Sequence, residues 1–104
     1  MITKYEEICA ICGRPAQHRH HLIEGTGKRE LSDKYDLIIP LCADCHNMSK
    51  NSVHLNPKMK AMSNIIGQLA FERQKAIEKS ELPFENMSDE LREQFRDVFG
   101  KSYL

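Results

Sequence analysis

Two Cys-x-x-Cys pairs, Cys9-Ala10-Ile11-Cys12 and Cys42-Ala43-Asp44-Cys45, constrain this chain more than any other feature. Each pair turns two sulfurs toward one point, and two such knuckles supply the four thiolates of a tetrahedral structural Zn²⁺ site. Turn residues surround both: Gly13 and Arg14-Pro15 follow the first knuckle, and Pro40-Leu41 precedes the second. A thioredoxin-like redox role needs one pair and leaves the second without a purpose. The N-terminal MITKYEEICAICG has no signal-like apolar stretch, and no run approaches the ~20 apolar residues of a membrane span. The expected compartment is therefore a reducing cytoplasm, where disulfides do not persist. A metal staple also answers a problem of size. The chain has 104 residues, 40% hydrophobic and 7% aromatic, with no Trp. Folding at that length buries only about 60–65% of the unfolded surface, so the apolar core is modest. With 15 Lys+Arg against 15 Asp+Glu the formal net charge is +0, which excludes a strongly basic nucleic-acid coat protein.

The chain divides near Leu55. Residues 1–55 hold every cysteine and every histidine, and residues 56–104 hold none. One small α+β domain is expected, with a zinc-stapled module over 1–55 and a helical extension over 56–104. Ala16 to Ile23 reads as a strand, Glu24 to Lys28 as a loop, and Leu37 to Leu41 as a second strand with Pro40 at an edge or end. A short helix or helical turn over Ala43 to about Lys50 should begin inside the second knuckle. Asn56-Pro57 is a helix start, with an Asn N-cap and Pro at the first helical position. Met59, Met62, Ile66, Leu69, Arg73 and Ala76/Ile77 then follow at three- and four-residue steps. That spacing predicts an amphipathic helix to about Lys79, with its apolar stripe in the core and Gly67 as its weak point. Leu82-Pro83 should break the helix. Ser88-Asp89-Glu90 should start another, burying Leu91, Phe95, Val98 and Phe99 before Gly100 stops it.

The insert between the knuckles opens with His18-Arg19-His20-His21, His46 directly follows Cys45, and His54 lies eight residues further on. Adjacent strand residues point to opposite faces, so one of two neighbouring histidines can ligate a metal while the other faces solvent or substrate. If the cysteines hold the structural zinc, the histidines are free for a second, open metal site of the kind hydrolysis uses. The string HHLIEGTGKRELSDKYDLIIPLCADCH resembles the HNH (ββα-metal, His-Me finger) endonucleases, particularly small phage and prophage members with a structural zinc held by four cysteines. The resemblance covers about Cys9 to His54. It implies a ββα unit around a catalytic divalent metal (Mg²⁺, Mn²⁺, Ni²⁺ or Zn²⁺).

In that resemblance His20 matches the first ligand of the catalytic metal, His21 the general base and His46 the second ligand. His54 is the candidate third ligand. The family's central Asn has no counterpart between His21 and Cys42, and Asp36 is the nearest polar residue to take its place. Lys50, four residues past His46, stands where the family has Lys or Asn, and is grouped with Lys28 and Arg29 as a DNA contact. His18 reads as a solvent-facing strand residue or a phosphate contact, and Glu24 as surface. The implied activity is metal-dependent hydrolysis of DNA phosphodiester bonds, with His21 activating water. The neutral net charge predicts weak intrinsic DNA affinity. A phage packaging or recombination protein is the expected targeting partner. The competing reading is a non-catalytic zinc-ribbon module that binds DNA or protein.

Overall fold

Antiparallel pairing of β1 (His18–His21) with β2 (Ile38–Leu41) forms the sheet at the centre of the cysteine-rich half, in the register His18 opposite Leu41, His20 opposite Ile39 and His21 opposite Ile38. These positions come from a computed structural model that describes residues 1–25, 27–78 and 84–104, with backbone alone for 84–88. Every residue of β2 is buried. This apolar strand is flanked on one side by β1. Elsewhere Ile2 N–H donates to the Ile38 carbonyl at 3.0 Å and Ala10 N–H to the Pro40 carbonyl at 2.9 Å. Pro40 itself has no N–H to place, which suits a strand whose neighbour on that side only donates to it.

Between the strands lies a helix, α1 (Lys28–Lys34), in a segment with no helix expected from its sequence. Its seven residues carry too short a hydrophobic pattern to announce themselves. One buried serine pins it. Ser32 Oγ donates to the Ile23 carbonyl at 2.6 Å and receives the Ile23 N–H at 3.3 Å, joining α1 to the residues that leave β1. After β2 the chain makes a short π-helical turn, Asp44–Met48, within the short helix or helical turn expected over Ala43 to about Lys50. Two long helices complete the fold, α2 (Pro57–Glu78) and α3 (Phe84–Phe99). Asn56 caps α2 as expected, its Oδ1 accepting the N–H groups of Lys58 at 2.9 Å and Met59 at 3.2 Å. α3 starts at Phe84, ahead of the expected Ser88 cap, and Gly100 closes it through an N–H bond of 2.8 Å to the Arg96 carbonyl. The expected break at Leu82-Pro83 lies outside the described residues.

The core joins Leu22, Ile23, Leu37, Ile39, Leu41 and Val53 to Phe71, Phe95 and Phe99. Tyr35 at the end of α1 meets Phe71 edge-on at 5.0 Å, and Phe95 stacks on Phe99 at 4.5 Å, so one aromatic cluster ties the three helices together. The α3 stripe is buried as its spacing predicts, but the α2 stripe is not. Met62, Ile66, Leu69 and Ile77 are exposed, and the face turned inward carries Ser63, Gly67, Gln68, Phe71 and Glu72. Two causes rotate the helix away from its apolar reading. Gly67 permits close approach, since a Cβ there would stand 2.7 Å from Ile23 Cγ1. The buried amide and hydroxyl are also fully partnered: Gln68 holds Ser102 Oγ at 2.9 Å and the Tyr103 N–H at 2.6 Å, and Ser63 bonds residues of the β1 region. Among the described residues no helix is long and apolar enough to cross a membrane.

Candidate metal centres

The first centre is built from the two knuckles. Gly13, at φ 79°, takes the left-handed conformation that bends the first knuckle back, so that its N–H reaches the Cys9 carbonyl at 3.0 Å while Cys9 N–H reaches the Arg14 carbonyl at 2.7 Å. The second knuckle bends at the end of β2, with Cys45 N–H donating to Cys42 Sγ at 3.5 Å. The four sulfurs of Cys9, Cys12, Cys42 and Cys45 then lie within 4.8 Å of one another, with Cys12 and Cys42 sulfurs 3.6 Å apart. Sulfurs about 2.3 Å from a tetrahedral Zn²⁺ are separated by about 3.8 Å, so the cluster has the dimensions of a zinc site.

Its electrostatics favour thiolates at the open side. Arg14 Nε donates to Cys12 Sγ at 3.3 Å and lowers that thiol to about 6, and its guanidinium also reaches Asp44 Oδ2 at 3.5 Å across the two knuckles. Cys9 is lowered although burial pushes it up, because backbone N–H groups of the first knuckle and of Cys42 outweigh the burial. Cys45 is pushed up to about 12, first by burial and then by its sulfur neighbours. Four thiols crowded together cannot all ionise without a cation, which is the condition a structural metal relieves.

The second centre gathers His20, His46 and His54, each with one ring nitrogen within 4.8 Å of the others'. β1 supplies His20, buried at 2% exposure. The π turn supplies His46, one residue past the Cys45 knuckle. His54 reaches the site because the following loop folds back on that turn: Val53 N–H donates to the Cys45 carbonyl at 2.9 Å and His54 N–H to the His46 carbonyl at 3.2 Å. His46 Nε2 and His54 Nε2 are 2.9 Å apart. Two nitrogens at right angles about an ion, each about 2.1 Å from it, lie about 3.0 Å apart.

Hydrogen bonding shows which nitrogen of each ring is left over. Ser63 Oγ donates its proton to the Leu22 carbonyl at 2.7 Å, so it can only accept from His20 Nε2–H, at 2.7 Å. His20 Nδ1 therefore carries a lone pair, and that atom is buried with no hydrogen-bond partner. His54 Nδ1 lies 3.2 Å from Glu24 Oε2, where the carboxylate favours a proton on that nitrogen, and Nε2 is turned to His46. His46 Nδ1 meets His18 Nδ1 at 2.8 Å, leaving its Nε2 beside that of His54. Three imidazoles thus each have an outer partner, the arrangement that orients histidine ligands around a metal. Desolvation by burial, followed by repulsion from neighbouring imidazoles, holds His20 down to about 3 and His46 to about 4. Both rings stay neutral, as metal donors must.

His18 and Glu24 were expected at the surface. Strand alternation places His18 on the same face as His20, where it braces His46, and Glu24 at the exit of β1 holds His54. His21 turns to the opposite face and bonds Asp33 Oδ1 through Nε2 at 2.8 Å. Asp36, expected to replace the family's Asn near the histidines, sits in a left-handed turn at φ 57° and pairs with the N-terminal ammonium. The acidic residue at His21 is Asp33, hidden from sequence reading because α1 is. Lys28 is engaged with Tyr103, its Nζ 3.3 Å from the phenol oxygen, while Arg29 and Lys50 are exposed. Models of known families, curated proteins and solved structures give no match to this chain.

Proposed function

We propose that the chain is a metal-dependent endonuclease of the HNH (ββα-metal) kind that hydrolyses DNA phosphodiester bonds. One observation carries the reading: three buried or half-buried imidazoles converge with their outer nitrogens already partnered and their inner nitrogens bare, while the adjacent His21 lies on the other face of the same strand. A structural zinc module has no use for such a set beside its own four thiols. The bare nitrogens of His20, His46 and His54 would hold a catalytic divalent cation, which when bound supplies Lewis-acid stabilisation of the charge that develops on the leaving oxygen. His21 takes a proton from water as the water oxygen bonds to phosphorus, and the bond from phosphorus to the 3′ oxygen breaks in line. Arg29 and Lys50, both exposed, contribute phosphate contacts that position the backbone without reading bases. One base and one cation site cut one strand, so the expected product is a nick. The even charge balance leaves targeting to a partner such as a phage packaging or recombination protein.

The test is nicking of supercoiled plasmid by purified protein across Mg²⁺, Mn²⁺ and Ni²⁺, with His21→Ala as control. Parent protein should nick, and His21→Ala should be slower by about 10²–10⁴-fold, the usual contribution of a general base. It should retain both metals. A parent chain that binds one zinc and never nicks would favour the non-catalytic zinc-ribbon module instead.

A further inference from the structure

We infer that Asp33 on α1 is a positioning residue for His21, holding its ring with Nε2–H toward the carboxylate and presenting Nδ1 to the attacking water. The inference rests on the nuclease reading for its kinetic consequence and on geometry alone for the rest. His21 Nε2 lies 2.8 Å from Asp33 Oδ1. A carboxylate of this kind accepts and does not donate, so a neutral His21 carries its proton on Nε2, and its only basic nitrogen is Nδ1. The His21 side chain is 12% exposed and that of Asp33 61%, so the acid approaches the ring from the solvent side and does not share the buried imidazole pocket.

The placement follows from the fold. Strand alternation sends His20 inward and His21 outward, and outward is where α1 packs. Ser32 is fully buried and makes two hydrogen bonds with the backbone of Ile23, two residues beyond His21. The next residue of the helix is Asp33, so pinning Ser32 fixes the carboxylate beside the ring. Asp33 touches none of the three metal-site histidines through any hydrogen bond of the described residues, which separates its effect from metal binding. A family Asn is missing between the strands, and the residue that orients the base here comes from a helix the sequence pattern does not reveal.

Two readouts test this. Long-range ¹H–¹⁵N spectra of the zinc-loaded full chain at pH 8.5 should show His21 as the Nε2–H tautomer. In Asp33→Ala that preference should relax toward a mixture. In plasmid nicking, Asp33→Ala should lower kcat about 10-fold with KM within about twofold and both metal contents unchanged, and Asp33→Glu should recover most of the loss because it keeps the acceptor. A parent His21 protonated on Nδ1, or a tautomer unaltered in Asp33→Ala, overturns the inference. So does an Asp33→Glu no faster than Asp33→Ala. If the parent protein does not nick at all, the nuclease reading fails, and the tautomer spectra still decide whether Asp33 holds the ring.

Discussion

The thiol cluster and the imidazole cluster both draw ligands from the segments in and around one small sheet, yet they are assembled by different means. Each sulfur pair is separated by a single turn, so one bend positions two ligands and only the meeting of two bends is tertiary. The imidazoles come from β1, the π turn and the loop before α2, and their outer partners come from still other places: Ser63 from α2, Glu24 from the exit of β1, His18 from its start. Charge separates them too. Arg14 lowers the exposed Cys12 to about 6, whereas burial keeps His20 neutral down to about 3. The first cluster is an anion-rich cage that needs a cation to be stable. The second is a set of neutral imidazoles whose ring nitrogens lie close enough together to hold an ion. The comparison teaches that local ligands suit a permanent structural ion, and ligands from several elements suit a site whose geometry other parts of the fold adjust.

The sharpest way to break this contrast is to remove one ligand from the cage. Cys42→Ser leaves an incomplete tetrahedron in a chain with a modest core, and structural zinc is worth about 10 kcal/mol or more of apparent binding free energy in small domains. The expected outcome is loss of cooperative thermal unfolding together with loss of zinc. A well-folded, zinc-free Cys42→Ser protein would show that the sulfurs do not share one structural ion.

Emptying the second cluster should do far less to the fold. Mild chelation should strip a site of three neutral imidazoles and leave the four thiolates loaded, because a doubly charged ion is held more tightly by thiolates. Nicking should vanish and return with added Mg²⁺, Mn²⁺ or Ni²⁺, with the melting transition retained. His20→Ala and His46→Ala should lose the second metal and activity together, and His54→Ala should weaken metal affinity. In the stripped protein the pH dependence has a definite sign. His20 and His46 have folded values below the ordinary imidazole value of about 6.5, so the unfolded chain binds protons that the folded chain refuses. Their contribution to stability is complete above that value and falls as pH drops from about 6.5 through 4 for His46 and toward 3 for His20. Denaturant midpoints at pH 5 and pH 7 should differ less in His20→Gln than in the stripped parent.

The same contrast explains what can be read in advance. The cysteine knuckles, the two strands, the Asn56-Pro57 cap and the Phe95–Phe99 stripe are all signalled within a few residues of themselves, and all are present within small shifts of boundary. His20 and His46 are paired in advance only by the HNH resemblance, with His54 a candidate beside them, because His20 follows the first knuckle and the other two follow the second. Ser63, Glu24 and Asp33 are not legible, since each acts through a contact 12 or more residues away along the chain, and Asp33 sits on a seven-residue helix with little pattern. The α2 face departs from its periodicity for a related reason: periodicity marks apolar residues, while the buried side of this helix carries Ser63, Gln68 and Glu72 beside Gly67, with Phe71 as its one large apolar side chain.

The outer partners should therefore matter for the imidazole site and not for the thiol cage. Ser63→Ala removes the acceptor of His20 Nε2–H, and Glu24→Gln weakens the hold on His54 Nδ1. Loss of such a partner typically costs about 10–100-fold in metal affinity. Calorimetric titration of Mn²⁺ or Ni²⁺ into zinc-loaded protein should show that drop in both variants, with the zinc content of the thiol cage unchanged. An unaltered affinity in Ser63→Ala would remove α2 from the account of the site.

Gly67→Ala is expected to have the smallest effect, and magnitudes decide its sign. Alanine in place of a mid-helix glycine is favoured by about 1 kcal/mol from helix propensity. Against that, the new Cβ would stand 2.7 Å from Ile23 Cγ1, and 3.0 Å from Ile23 Cδ1 and Leu22 Cβ. Ile23 is 0% and Leu22 1% exposed, so neither has open space to enter. Leu22 Cβ is also fixed to its backbone and cannot rotate aside. Forcing extra carbon into a filled core costs about 1–3 kcal/mol, so the net result should be destabilisation of about 1 kcal/mol. The displacement has a direction. Ser63 lies one turn before Gly67 on the same helix face, and its 2.7 Å bonds to the Leu22 carbonyl and His20 Nε2 cross the same gap. Pushing α2 off β1 should lengthen both and weaken the second metal several-fold while the thiolate zinc is untouched. A denaturant midpoint that falls with metal affinity intact would place the strain in the helices alone, and a midpoint that rises would mean that the strand exit yields to the methyl group and that close packing at Gly67 does not set the imidazole site.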